Sequence, residues 1–132
     1  MRILVVDDDY VSRTKLVGLL SPYGQCDSAP NGEIAIQIFE AAHKELAAYD
    51  LVTMDIEMPV MDGFQTVHAI RRIEQILQVK REKETRILMV TAKRSPHDIM
   101  SSYAEGCNGY LTKAFNAQDV KRALELLGFK EQ

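Results

Sequence analysis

The sequence predicts an α/β protein built as a doubly wound, five-stranded parallel sheet with helices on both faces. Five short apolar runs alternate with longer amphipathic runs, and this alternation is typical of an open parallel sheet. The clearest apolar runs are continuous rather than alternating, which indicates strands buried on both faces. The chain has 132 residues, a length that fits one compact domain.

Three of the apolar runs are the clearest strand candidates. They are Ile3–Val6, Asp50–Met54 and Arg86–Val90, and a polar residue follows each of them. Two weaker runs, Cys26–Ala29 and Gly109–Leu111, complete the set of five. These two runs are short and would not be assigned as strands on their own.

The amphipathic runs predict five helices. Apolar residues recur at helical spacing in Leu16–Leu20, Ile34–Leu46, Val67–Leu77, Ile99–Tyr103 and Val120–Leu127. We expect Asn31 and Asn116 to cap the second and fifth helices, because asparagine accepts hydrogen bonds from free amides at helix starts. Ser21-Pro22 is expected to end the first helix, and Gly106 the fourth.

Charge and hydropathy exclude several classes of function. Sixteen basic and nineteen acidic residues are scattered along the chain and give a net charge of -3, so no nucleic-acid surface is indicated. No apolar run approaches the ~20 residues of a membrane-spanning helix. The segment Met1–Asp9 becomes acidic after a short apolar run, unlike a signal peptide. We therefore expect a cytoplasmic protein with reduced cysteines and no membrane or direct nucleic-acid partner.

The polar residues that follow the strands predict a phosphoryl-transfer site. Asp7–Asp9 follow the first strand, Asp55 the third, Thr91 the fourth, and Lys113 lies near the end of the fifth. In open parallel sheets, sites form beyond the carboxyl ends of the strands. Converging carboxylates repel one another unless a cation relieves them, and Mg²⁺ suits oxygen ligands. Asp55 is then the nucleophile that forms an acyl phosphate, with a metal, a hydroxyl and an ammonium beside it.

Each of these residues also has an ordinary structural explanation. Asp9 fits a helix cap equally well. Thr91 alone is more often a satisfied hydroxyl at a strand end, and Lys113 alone a solvated surface charge. Their joint occurrence at successive strand ends of one sheet favours the functional interpretation.

Four segments closely resemble the receiver domains of two-component response regulators. They are Val5–Asp8, Met54–Gly63, Val90–Lys93 and Gly109–Lys113. The resemblance runs from Ile3 to about Gly128. It implies a (βα)5 flavodoxin-like fold with strand order 2-1-3-4-5, and a single receiver domain over residues 1–132. We expect a stand-alone receiver, although a receiver taken from a longer regulator would have the same sequence features.

The resemblance also implies the metal site and the phosphoacceptor. Asp55 would receive a phosphoryl group from a phosphohistidine on a sensor histidine kinase or phosphotransfer protein. Asp8 and Asp55 would bind Mg²⁺ through their carboxylates, Asp7 through water, and Glu57 through its backbone carbonyl. The protein would thus act as a phosphoacceptor that catalyses only its own phosphorylation and dephosphorylation, and not as an enzyme with substrate turnover.

The same resemblance implies a switch. Lys113 would pair with the phosphoryl group, Thr91 would turn its hydroxyl toward that group, and Tyr110 would rotate inward. Phosphorylation adds about 1.5–2 negative charges, which recruit these residues. The surface formed by the fourth helix, fifth strand and fifth helix would then bind a downstream protein.

Three features depart from the family pattern or extend it. Ala114 follows Lys113 where the family usually has proline in a cis bond, and we predict a trans bond because cis costs ~2.5–4 kcal/mol before other residues. The segment between Asp55 and Thr91 is longer than usual, which favours an extra packed turn over an added partner surface. Glu57 and Lys93 flank the predicted site and are expected to pair across its mouth.

Two other functions were weighed on the same residues. A Mg²⁺-dependent phosphatase with an aspartyl-phosphate intermediate fits the Asp-x-Asp spacing of Asp7–Asp9. However, such enzymes need a further acidic pair, for which only Asp119 is present, and a cap domain for which 132 residues leave no room. A flavin-binding module is disfavoured because three aspartates would repel a phosphate at the first turn.

Overall fold

The computed structural model describes residues 1–131 and confirms the predicted alternation of strands and helices. The strands are β1 Arg2–Val6, β2 Gln25–Ala29, β3 Leu51–Met54, β4 Arg86–Thr91 and β5 Gly109–Thr112. The helices are α1 Tyr10–Leu20, α2 Gly32–Lys44, α3 Gly63–Ile76, α4 Pro96–Glu105 and α5 Ala117–Leu126. Short 3-10 helices cover Ser21–Tyr23 and Arg81–Lys83.

The five strands form one parallel sheet in the order β2-β1-β3-β4-β5, as predicted. Val6 at the end of β1 pairs with Ala29 of β2 and with Met54 of β3. Thr91 at the end of β4 pairs with Thr112 of β5. The register therefore aligns the carboxyl ends of the strands, and the polar residues that follow them meet at one edge.

The central strands β1, β3 and β4 are buried on both faces, since successive side chains point to opposite sides of the sheet and apolar residues pack on each side. Leu4 and Val6 of β1 join one apolar cluster with α2 and α3, which includes Phe39. Ile3 and Val5 join a second cluster with α1 and α5. The continuous apolar character of β1 is thereby explained.

The predicted helix boundaries agree with the structure more closely than the predicted helix faces do. Asn31 and Asn116 cap α2 and α5 through their side chains, and Gly106 ends α4 with a positive φ of 115°. The apolar stripe assigned to the second helix is wrong at its end, because Leu46 lies beyond α2 and is 95% exposed. Periodicity continued there by chance after the helix had ended.

The longer segment between β3 and β4 packs only in part. Ile73 of α3 is buried, whereas Ile76 and Leu77 are exposed. The predicted packing of an extra turn therefore holds for Ile73 and not for Ile76 and Leu77. Over residues 1–131, none of the helices combines the length and the apolar character needed to cross a membrane.

Candidate functional site

The carboxyl edge of the sheet brings the predicted site residues together. Asp7, Asp55 and Thr91 are each at most 6% exposed, whereas Asp8 beside them is exposed. Carboxylate oxygens of Asp7, Asp8 and Asp55 all lie within 4.8 Å of one another. A buried acidic cluster with one open side is the result.

Lys113 supplies the positive charge that this cluster needs. Its Nζ donates to Asp7 Oδ2 at 3.0 Å and to Asp55 Oδ2 at 3.2 Å. Burial opposes the charged form of Lys113, but the hydrogen bond to Asp7 and the attraction of Asp55 outweigh burial and raise its pKa. Burial raises the pKa of Asp55, and the Asp7 carboxylate adds to this shift while Lys113 opposes it.

The start of α1 positions Asp7. The Asp9 amide donates to Asp7 Oδ1 at 2.9 Å, and the Arg13 guanidinium donates to the Asp7 backbone carbonyl at 2.8 Å. Asp9 itself caps α1 by accepting from the Ser12 amide at 3.0 Å. The helix-cap explanation of Asp9 is therefore confirmed, and its carboxylate holds the helix start.

A tight loop between β3 and α3 positions Asp55. The Gly63 amide donates to the Ile56 carbonyl at 2.8 Å. A Cβ atom at Gly63 would lie 2.3 Å from the Asp55 backbone oxygen, so only glycine fits this approach. Asp62 caps α3 in a reciprocal capping box with Gln65, which fixes where the loop ends.

Glu57 and Lys93 form the predicted pair at the mouth of the site. Lys93 Nζ lies 3.5 Å from Glu57 Oε1, and both side chains are partly exposed. The Lys93 amide donates to Thr91 Oγ1 at 3.3 Å, and the Tyr110 hydroxyl donates to the Lys93 carbonyl at 2.8 Å. Burial raises the pKa of Tyr110 to about 12, so its phenol remains a donor. Lys93 therefore contacts Glu57 across the mouth of the site, the hydroxyl of Thr91 and the hydroxyl of Tyr110.

The bond between Lys113 and Ala114 is cis, so the predicted trans bond is wrong. The prediction considered only the local preference of a non-proline peptide. It left out the tertiary contacts of this loop, in which the Lys113 side chain contacts two buried carboxylates.

Sequence reasoning missed the residues that hold the Lys113 loop. The Arg94 guanidinium donates to the Lys113 carbonyl at 2.6 Å, and Lys15 Nζ donates to the Phe115 carbonyl at 3.2 Å. Both contacts join residues that are distant in the sequence. Basic residues are common on surfaces, so no local pattern distinguishes these two from solvated charges.

Two grooves lie among the loops at the carboxyl edge of the sheet. One, of about 500 Å³, lies on the α4 side and includes Glu57, Phe64 and Lys93 in its lining. The other, of about 230 Å³, is lined by Asp8 and by residues of the loops that precede α2 and α3. Asp8 therefore remains accessible from solvent through this second groove.

The sequence matches known proteins over nearly its whole length. The family model of the response regulator receiver domain matches residues 3–125. The chemotaxis protein CheY of Pseudomonas aeruginosa is 31% identical over 127 residues, which cover 95% of this chain and 94% of that protein. A probable transcriptional regulator of Porphyra purpurea is 27% identical over 128 residues, covering 97% of this chain and 56% of that protein. The chain thus spans about half the length of the second relative.

Solved structures show the same fold. CheY4 of Vibrio cholerae has a TM-score of 0.77 and 31% identity, with 94% of this chain and 95% of that chain covered. A co-crystal structure of the Saccharomyces cerevisiae phosphotransfer protein Ypd1 with the Ssk1 receiver domain gives a TM-score of 0.79 and 26% identity, covering 96% and 88%. A Borrelia burgdorferi CheX–CheY complex with BeF3 and Mg²⁺ gives 0.84 and 22% identity, covering 98% and 90%, a likeness of fold alone.

Proposed function

Because the chain belongs to the response regulator receiver family, we propose that Asp55 is its phosphoacceptor. The family is one of signalling proteins in two-component systems and not a classical enzyme family. The observation that carries the proposal is the position of Lys113 Nζ, 3.2 Å from an Asp55 carboxylate oxygen at the carboxyl edge of the sheet. An ammonium beside a buried carboxylate is suited to charge that develops on a phosphoryl group.

In the proposed reaction, Asp55 attacks the phosphorus of a phosphohistidine on a sensor kinase or phosphotransfer protein. The new carboxylate–phosphorus bond forms as the phosphorus–nitrogen bond breaks, and the imidazole leaves with the bonding electrons and takes up a proton. Lys113 neutralises a phosphoryl oxygen, and the Thr91 hydroxyl donates to another. Attack by water on the same phosphorus returns the free Asp55 carboxylate and inorganic phosphate.

The acidic cluster fits a Mg²⁺ ion. All of the converging ligand atoms are carboxylate oxygens, which Mg²⁺ prefers, and one of the three residues is exposed. Asp8 and Asp55 would hold the ion through their carboxylates, Asp7 through water and Glu57 through its backbone carbonyl. When bound, the ion supplies positive charge that neutralises phosphoryl oxygens.

The experiment that tests the phosphoacceptor is labelling with acetyl phosphate and Mg²⁺, followed by intact mass spectrometry. We expect one phosphoryl group on the wild type, labile to hydroxylamine, and none on Asp55→Asn. Asp9→Asn is the matched control, since asparagine caps helices as well as aspartate and labelling should persist. An unlabelled wild type, or equal labelling of Asp55→Asn, would contradict the proposal.

The output surface that we propose lies on α4, β5 and α5. Met100 and Tyr103 of α4 and Leu126 of α5 are 72%, 48% and 85% exposed. Tyr110 of β5 contacts Lys93 near the site, which provides a link from Thr91 to this surface. The complex of Ypd1 with the Ssk1 receiver domain supports a protein partner for this chain.

Residues 1–132 would act as one receiver unit whose output is protein binding. The near-complete coverage of CheY supports this single-domain assignment. The expected cytoplasmic location, and the expected absence of nucleic-acid and membrane partners, stay predictions.

The phosphatase alternative loses its candidate acid. The Asp119 carboxylate accepts from the Asn116 amide at 3.0 Å, and the Asn116 side chain accepts from the Asp119 amide at 2.8 Å. Asp119 is thus engaged in the capping box at the start of α5. Repeated turnover of a small phosphate ester in the labelling assay would favour the phosphatase over the receiver.

A further inference from the structure

A partly buried ionic network connects α3 to the carboxyl end of α4, at the amino edge of the sheet and therefore opposite the acidic cluster. Arg71 of α3 donates from Nε to the Gly106 carbonyl at 2.9 Å and from a terminal nitrogen to Asn108 Oδ1 at 2.8 Å. Its other terminal nitrogen donates to Glu74 Oε1 at 2.6 Å. One guanidinium therefore holds the end of α4, the start of β5 and its own helix.

Glu74 makes this network rigid. Its side chain is 1% exposed, and Oε2 accepts from the Thr85 amide at 2.8 Å, just before β4. Arg71 neutralises the buried carboxylate, and the Thr85 hydroxyl in turn donates to the Tyr49 carbonyl at 2.7 Å. Because a buried charge that loses its partner is strongly unfavourable, the Arg71–Glu74 pair resists separation.

The end of α4 is also fixed by packing against Arg71. A Cβ atom at Gly106 would lie 2.9 Å from Arg71 Cγ, so helix end and side chain are in close contact. Asn108 Oδ1 accepts from the Ile87 amide as well, at 2.8 Å, which joins this corner to β4.

Among residues 1–131, which the structure describes, no side chain outside α4 except that of the cap residue Ser95 donates a hydrogen bond to its first turn. Pro96 and His97 are exposed, and the Ser95 side chain caps the helix by bonding to Asp98 of the same first turn. The first fully buried residue of α4 is Ser102. The two ends of α4 therefore differ: the Arg71 side chain of α3 binds the carboxyl end, whereas the first turn near Thr91 is capped locally by Ser95.

We propose that α4 is a lever fixed at Gly106 by the Arg71–Glu74 clamp, so that phosphorylation moves its amino-terminal turns while its carboxyl end stays in place. This inference rests on the proposed function, since it requires a charge change at Asp55. It assigns Arg71 and Glu74 the role of positioning residues. Neither residue contacts the acidic cluster.

Hydrogen exchange with and without beryllofluoride and Mg²⁺ tests the lever, with ¹⁹F NMR reporting in the same samples whether the site is loaded. In the loaded wild type, exchange should change over residues 92–101 and stay constant over residues 103–108. In unloaded Arg71→Met/Glu74→Gln, exchange over residues 103–108 should rise about tenfold or more, because their protected amides lose the clamp. The double variant leaves no unpaired buried charge, which favours folding.

Arg72→Met is the matched control, because Arg72 is exposed on the same helix and should exchange like the wild type. Arg71→Lys is a second, milder variant, since one ammonium keeps the charge but cannot serve three acceptors in different directions. If residues 103–108 exchange alike in all variants, or change as much as residues 92–101 in the loaded wild type, the lever is overturned. If the wild type does not bind beryllofluoride in the presence of Mg²⁺, the proposed function is contradicted instead. The comparison of the unloaded wild type with the unloaded variants then still decides whether Arg71 holds α4.

Discussion

At the scale of single residues, the site depends on one ammonium shared by two carboxylates. Lys113 contacts Asp7 and Asp55, and both acids are almost completely buried. Removing Lys113 would leave two like charges side by side in a poorly solvated place, which is unfavourable. The same ammonium that stabilises the free protein is thus in position to contact a phosphoryl group on Asp55.

The Glu57–Lys93 pair is expected to prolong the phosphorylated state, because it lies across the mouth through which water reaches Asp55. Phosphate loss from Glu57→Ala and Lys93→Ala should be about 1.4- to fivefold faster, since exposed pairs contribute roughly 0.2–1 kcal/mol. The decay of labelled protein, followed by intact mass, measures this rate.

Lys44→Ala is the control for the loss of a pair, because Lys44 forms an exposed pair with Glu40 on α2. Its phosphate loss should match that of the wild type. The proposed effect of the Glu57–Lys93 pair is contradicted if Glu57→Ala and Lys93→Ala both lose phosphate at the wild-type rate.

Sequence patterns predicted the residues of the site better than their surroundings. Asp7, Asp55 and Lys113 each follow a strand and Thr91 ends one, so topology alone brings them to one edge. The contacts of Arg94 with the Lys113 loop depend on loop conformation, which has no periodic signal. The cis bond at Ala114 was missed for the same reason.

At the scale of elements, the start of α3 determines where Asp55 lies. Gly63→Ala should destabilise the protein by about 1–3 kcal/mol, because its Cβ would lie 2.3 Å from the Asp55 carbonyl oxygen. Urea unfolding measures the change in the free energy of unfolding.

Gly18→Ala provides the matched control on α1. A Cβ there meets no atom within 4 Å, and alanine favours helices over glycine, so we expect stabilisation by about 0.5–1 kcal/mol. Equal effects of the two substitutions would contradict the steric account of Gly63.

Helix starts and ends were predictable because caps have local chemistry. Asn31, Asn116 and Gly106 all occupy the predicted capping positions. Which apolar residues become buried depends instead on neighbouring elements, and so the exposure of Leu46 and Ile76 was not predicted. The short strands β2 and β5 were recognisable mainly from the order of the other elements.

At the scale of the whole molecule, binding of Mg²⁺ should raise stability. Three carboxylates against one ammonium leave an excess of negative charge at the carboxyl edge. Mg²⁺ at about 100 times its Kd should add about 2.7 kcal/mol to the free energy of unfolding. Urea unfolding with Mg²⁺ or with a chelator measures the difference.

The gain should largely disappear in Asp8→Asn and persist in Glu40→Gln, which removes an exposed carboxylate on α2 far from the cluster. A Mg²⁺ effect of equal size in Asp8→Asn would show that the ion acts elsewhere.

Glu74 binds both ends of the segment that joins α3 to β4. The Val79 amide donates to the Glu74 carbonyl at 2.9 Å, and the Thr85 amide donates to the Glu74 carboxylate at 2.8 Å. Residues 75–84 therefore form a loop whose two ends are held together at Glu74. The free energy of folding depends only weakly on the length of such a loop. The stretch can therefore be lengthened or shortened without shifting β4 in the sheet, and the geometry around Asp55 stays unchanged.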